Sequence, residues 1–317
     1  MARCRQLTGY NKKLGFSAPI RFCEFNIAFF DLDEESEGAP WKPIHKIPSP
    51  HHAGRLADSV NVMAIKVAES DSGYPISVFG TVLARDEYDY RCVYLFKRGR
   101  DDPQVITSKD DTLTLMGPYR ALAVSDSMYF EFHLKIKGDE DVDEDFSKGY
   151  LEHSAVCHWK QPMTNFLYSC LSTVELVYTP VPSAVEASFA VSLLKERSDF
   201  IDKVTAWTTR NEKNKIVLYN KKVAAVGGGE TVRGLVAVPV DERLVLRVCL
   251  LMHSEHERGE CFQLSLGHGA DEFLAGKEPF ELQVKISWRG VTNRRGPGAW
   301  GRPNMWWNLG TKDRLLL

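Results

Sequence analysis

The stretch MYFEFHLKIK (128–137) decides the fold. Met128, Phe130, Phe132, Leu134 and Ile136 alternate with Tyr129, Glu131, His133, Lys135 and Lys137. Successive side chains of a strand point to opposite faces, so a period of two reads as a strand with one buried face. A helix would set apolar residues at i, i+3 and i+4, and no long window of the chain does so. Runs of the same kind lie on both sides. Upstream are VNVMAIKV (60–67), ISVFGTVLA (76–84), RCVYLF (91–96) and TLTLMG (112–117). Downstream are TVELVYTPV (173–181), AVEASFAVSLL (184–194), KVTAWTT (203–209), KIVLYNKKVAAV (215–226), GLVAVPV (234–240), RLVLRVCLLM (243–252), FQLSL (262–266) and FELQVKISW (280–288). Polar or glycine-bearing clusters bound the runs, as turns bound strands. DEFLAG (271–276) is the competing helix candidate.

The runs fall into two sets that read as repeats. FEFHLKI (130–136) matches LVLRVCL (244–250) at a spacing of 114 residues, and RALAV (120–124) matches GLVAV (234–238) at the same spacing. VNVMAIKV is expected to match VELVYTPV there too. The expected fold is therefore all-β, with two tandem, related antiparallel β-sandwich-like lobes of C2-like form over residues 59–158 and 171–288. Residues 1–58 are expected to form an arm against the body, with a flexible link near Pro48 and Pro50. Residues 289–317, dominated by Gly, Pro, Arg and Trp, are expected to form an irregular tail.

Composition narrows the classes. Apolar residues at 44% and charged residues at 26% describe a globular chain. Forty basic side chains nearly cancel forty-two acidic ones, so net charge gives no reason to expect nucleic acid or an anionic membrane. Arginine and tryptophan in the tail (Arg289, Arg294, Arg295 and Arg302 with Trp300, Trp306 and Trp307) could contact nucleic acid, but aromatics covering the body are the plainer reading. The seven cysteines form no CxxC pair, and Cys92 and Cys249 sit in apolar runs as free thiols would. No asparagine begins a glycosylation sequon, the start has no apolar signal-peptide core, and no apolar run approaches membrane-spanning length. A cytoplasmic location is the expectation.

The segments SVNVMAIKVAESDSGYPISVFGTVLARD (59–86), VYLFKR (93–98), LTLMGPYRAL (113–122), MYFEFHLKIKGD (128–139), Ser147-Lys148-Gly149 and LSTVELVYTPVPSAVEA (171–187) occur in this order. Together they resemble a plant family known as domain of unknown function 6598. The resemblance spans about residues 55–290, and ahead of it FFDLDEESE (29–37) also resembles the acidic lead-in of these proteins. It implies no catalytic residues. Some members carry this domain beside a ribosome-inactivating rRNA N-glycosidase domain, which implies a defence or stress setting. The chain has no room for such a domain outside residues 55–290.

The sharpest local feature is the acidic run Asp139-Glu140-Asp141-Val142-Asp143-Glu144-Asp145. Hard divalent cations take six to eight oxygen ligands. Asp139, Asp141, Asp143 and Asp145, joined by Asp86 and Asp89 of an earlier loop, are therefore a calcium candidate resembling C2-like phospholipid-binding sandwiches. The plainer reading is a solvated hairpin loop. His253, His256, His268 and Cys261 lack a zinc-site spacing and read as loop residues. Gly227-Gly228-Gly229 lacks the lysine and helix of a phosphate loop. Ser192 and Lys195, on a strand, would not face one another.

No catalytic constellation or cofactor is recognised, and a non-enzymatic binding module is expected. Its sheet faces or interlobe groove would take a protein, glycan or lipid ligand. A calcium-dependent membrane-surface module is the alternative, and an rRNA glycosidase inherited by association is a third reading.

Overall fold

The computed structural model describes residues 7–22, 31–38, 41–44, 56–138, 142–155, 161–194, 200–220, 231–251, 260–268, 271–277 and 280–292. Every named element among them is a strand. β1 (Thr8–Asn11) and β2 (Phe16–Pro19) form an N-terminal hairpin. The first lobe contains β3 (Ser59–Ser70), β4 (Ile76–Arg85), β5 (Val93–Arg98), β6 (Gln104–Ile106), β7 (Ser127–Lys137), β8 (Asp143–Ser154), β9 (Met163–Tyr168) and β10 (Ser172–Val181). One of its sheets is ordered β3-β10-β9, the other β5-β4-β7-β8, with β6 also on β4. The inward residues of β7, namely Met128, Phe130, Phe132, Leu134 and Ile136, pack in the core between them. That is the face the alternation of 128–137 predicts.

The second lobe contains β11 (Ala184–Leu193), β12 (Phe200–Thr208), β13 (Ile216–Asn220), β14 (Thr231–Pro239), β15 (Leu244–Leu251), β16 (Cys261–Leu266), β17 (Glu272–Lys277) and β18 (Phe280–Gly290). Its sheets are ordered β14-β11-β18-β17 and β13-β12-β15-β16. The lobes share one plan. In the first lobe the place of β14 is taken by irregular chain, which bridges β3 at Lys66↔Thr112 and, just before it, at Asp58↔Val124. With that segment counted as fourth and β6 set aside, both lobes read 4-1-8-7 over 3-2-5-6. The spacing of 114 holds where the core requires it. Phe130, Phe132, Leu134 and Ile136 correspond to Leu244, Leu246, Val248 and Leu250, all eight in the cores.

Four expectations need correction. TVELVYTPV does not open the second lobe. β10 is the hydrogen-bonded neighbour of β3, from Ser172↔Ser70 to Val181↔Ser59, so the first lobe runs to Val181 and the second begins at Ala184. Neighbouring strands of one sheet present the same face to one core, which gave the two runs the same alternation. DEFLAG is strand β17, paired with β18 from Glu272↔Lys285 to Lys277↔Phe280. TLTLMG makes only the single bridge at Thr112. The tail starts later than expected, because β18 reaches Gly290 and Val291 is buried. Pro48, Pro50 and residues 293–317 lie outside the described residues.

The two fourth segments meet at the lobe junction. Ala121 and Ala123 from one and Leu235 and Ala237 from the other join a buried cluster with Trp41, Tyr88 and Val181. Small side chains there let the backbones approach closely. Asn61 of β3 closes the free edge of β14, donating to the Ala237 carbonyl (2.7 Å) and accepting from its N–H (2.9 Å). This side-chain amide replaces the strand partner an edge would lack. The arm touches both lobes. Ser36 N–H donates to the Cys92 carbonyl (3.0 Å), and Ile44 N–H donates to the Trp288 carbonyl (2.9 Å).

Candidate functional site: the acidic loops and the interlobe groove

The six aspartates of the calcium candidate are not brought together. Arg85 faces Tyr129 on β7, while Lys137 at the other end of β7 faces Asp143. Those positions are eight residues apart along the strand, about 27 Å at 3.3–3.4 Å per residue. Asp86 and Asp89 thus lie at one end of the sheet, and Asp143 and Asp145 at the other. Asp139 and Asp141 lie outside the described residues. Asp143 pairs with Arg100 (3.0 Å), and Asp145 with Lys148 (3.0 Å) and His133 (3.5 Å).

Asp86 and Asp89 already hold a cation, and it is Arg120. The guanidinium grips Asp86 through two bonds, at 2.5 and 2.8 Å, and lies 3.6 Å from Asp89. Asp86 also accepts from Ala123 N–H (2.6 Å), and Asp89 from Ser36 Oγ (2.6 Å) and Arg91 N–H (3.0 Å). Burial pushes the Asp89 carboxyl above the usual range, against the hydrogen bonds from Ser36 and Arg91 and the charge of Arg120. Burial disfavours the Arg120 charge, but the neighbouring aspartates more than offset this and raise its pKa. The same guanidinium sits 4.9 Å from the Tyr88 ring centre. The next residue extends the chain of contacts into the second lobe, where Ala121 N–H donates to Glu186 on β11 (2.8 Å). Glu186 lies 3.6 Å from Arg289. This arrangement is a clasp between the lobes and the arm. Buried carboxylates with paired hydrogen bonds are what such a clasp requires.

The other sequence candidates resolve as follows. Cys261 is joined to Cys249 by a disulfide across β15 and β16, which corrects the expectation of free thiols. His268 is buried against Trp288, ring centres 4.5 Å apart. Ser192 Oγ bonds Thr231 Oγ1 (2.9 Å). Lys195, Gly227-Gly228-Gly229, His253 and His256 lie outside the described residues. Among the described residues, no group of three or more His, Cys, Asp or Glu side chains could hold a metal ion.

A cavity of about 500 Å³ lies between the lobes, beside the junction cluster. Val62, Leu95 and Met116 line it from the first lobe, and Phe189, Val217 and Arg233 from the second. The volume falls in the range of small-molecule sites. Met116 (62% exposed) and Val217 (47%) present apolar surface to solvent. Gly234 shapes one wall, since a Cβ there would sit 2.5 Å from the Phe189 ring. Arg233 is exposed and has no carboxylate partner among the described residues. Nothing in the local sequence announces this groove, because its walls come from separate lobes. The available signals were Met116 and Tyr119, large side chains in an irregular stretch.

Residues 59–286 match the family described as Domain of unknown function (DUF6598). No curated protein matches the chain. Among solved structures, the chain is similar to human GIVD cytosolic phospholipase A2, with 6% identity, a TM-score of 0.22, and coverage of 74% of this chain and 32% of that one. It is similar to the C2A- and C2B-domains of Extended-Synaptotagmin 2, with 9% identity, a TM-score of 0.26, and coverage of 83% of this chain and 99% of that one. This chain thus spans about a third of the phospholipase's length. The sandwich architecture rests on the strand order and the cores described above.

Proposed function

The chain belongs to the DUF6598 family, and on that premise we propose that it is a non-enzymatic binding module whose ligand sits in the interlobe groove. One observation carries this reading: an apolar cleft of small-molecule size whose lining includes Arg233, a guanidinium with no carboxylate partner among the described residues. The matching ligand is an amphiphile with an apolar body and an anionic head. The body would cover Met116 and Val217, and the head would take a charge-assisted hydrogen bond from Arg233. Calcium is no part of this reading, because Arg120 supplies the positive charge between Asp86 and Asp89.

A medium-chain fatty acid titrated into the full chain should bind, and the matching alcohol should bind more weakly. Arg233→Ala should weaken the acid by about tenfold or more, the worth of a charge-assisted bond, and leave the alcohol unchanged. Equal affinity for acid and alcohol, or no effect of Arg233→Ala, would remove the reading.

The plant defence setting belongs to the same proposal and rests on the family resemblance alone. No helix among the described residues is long and apolar enough to cross a membrane. For compartment, the Cys249–Cys261 disulfide favours an oxidising environment over the cytoplasmic one expected from sequence.

A further inference from the structure

The hairpin β1–β2 stands beside β8 and β9 and leaves a trough of about 640 Å³ between them. The trough is a built feature. Asn11 Nδ2 donates to the Tyr168 carbonyl (2.8 Å), Cys170 Sγ lies 3.4 Å from the Tyr10 carbonyl oxygen, and Lys13 pairs with Asp71 (3.1 Å). These contacts hold the hairpin against the body at one end and leave the trough open along its length.

Phe166 and Tyr168 occupy alternate positions on β9 and so share its outward face. Their rings lie 6.4 Å apart and 28° from parallel, which makes a nearly continuous aromatic platform. Phe166 is 44% exposed, Tyr168 54% and Tyr10, on the hairpin side, 62%. With Leu14, they are four of the twelve large apolar side chains exposed among the described residues, gathered at one site. Clustered exposed apolar surface of this kind marks a binding site more often than scattered exposure does. Tyrosine and phenylalanine are also rigid, so little entropy is lost when a ligand covers them.

The polar part of the lining selects the ligand class. Asp145 and Lys148 are the charged side chains of the lining, and they pair with one another at 3.0 Å. Their charges cancel, so the trough attracts neither a phosphate nor a cationic peptide. They still offer an acceptor and a donor beside the rings. A ligand that lays apolar C–H faces on aromatic rings and turns hydroxyls to a neutral polar rim is a saccharide. We infer that the trough between the N-terminal hairpin and β8–β9 is a binding site for a neutral oligosaccharide, with Phe166 and Tyr168 as its stacking platform.

This inference does not rest on the groove. The test is calorimetry on the full chain with neutral β-linked oligosaccharides of glucose, N-acetylglucosamine and xylose. The matching insoluble polysaccharides are offered in parallel, to separate capture of a free end from capture along a chain. At least one sugar should bind with a dissociation constant at or below about 1 mM. Phe166→Ala and Tyr168→Ala should each weaken it about tenfold, while Tyr168→Phe keeps the ring and the affinity. Thr164→Ala, exposed on the same strand, should leave both fold and affinity unchanged. Absence of binding across the neutral panel would overturn the inference. So would binding that both alanine variants retain, or binding confined to anionic glycans.

Discussion

Arg120 shows how a single side chain redirects a plausible reading. Two aspartates three residues apart in a loop after a strand look like half of a cation site. The cation proves to be a guanidinium thirty-four residues further on, 2% exposed and bonded to both Asp86 oxygens. Removing it would leave buried carboxylates without their counter-charge. Arg120→Met should cost about 3–5 kcal/mol, read as a lower midpoint in urea denaturation. A midpoint unchanged from the parent would mean that the clasp holds nothing. Two buried histidines set a pH dependence at the same scale. Burial pushes the imidazole of His268 below the usual range, and does the same to His153 against a small opposing effect of Asp58. Below about pH 6.5 the unfolded chain therefore takes up protons that the folded chain refuses. Their contribution is fully present above about pH 6.5 and is lost as pH falls through the depressed folded values. Thermal midpoints between about pH 5 and 8 should be level at the upper end and drop on acidification. A midpoint that rises on acidification would contradict the sign.

At the scale of the element, legibility followed burial. β7 and β15 were legible because every second residue enters a core. β8 was not, since it opens with Asp143-Glu144-Asp145, which sit opposite Lys137, Ile136 and Lys135 in the β7–β8 register. Residues read as an acidic loop are partly the first rungs of a ladder. β9 was missed for a related reason. It is an edge strand whose outward Phe166 and Tyr168 break the apolar-in, polar-out rule. β17 looked helical over six residues and is a strand because β18 offers it a partner, and tertiary pairing overrides local propensity. The disulfide belongs here too. Cys249 and Cys261 face one another across β15–β16 and close a separation of 12 residues. Replacing both with serine should cost about 3 kcal/mol by the loop-closure relation. Reductant should lower the unfolding midpoint of the parent and not of the double variant. Equal shifts in both would assign the effect to something other than this bond.

Across the whole molecule, two sandwiches of one strand order are fastened by equivalent segments. Ala121 and Ala123 meet Leu235 and Ala237, and the spacing of 114 residues that revealed the repeat also marks the surface where its copies touch. The repeat was legible because core alternation survives divergence. The boundary between the copies was not, because β3 and β10 are the first and last strands of one lobe yet lie side by side. The groove was not legible either. Val62 and Val217 are far apart in sequence, and only the docking of the lobes makes them walls of one cavity.

The direct measurement of the central claim is a paramagnetic relaxation map of the full chain with a spin-labelled medium-chain fatty acid. Bound in the groove, the label should broaden the amide signals of Val62, Met116, Val217 and Leu235, and the unlabelled acid should reverse this. Broadening concentrated on those four signals and reversed by the unlabelled acid is the predicted result. Broadening absent from the groove, or spread evenly over both lobes, would contradict the account.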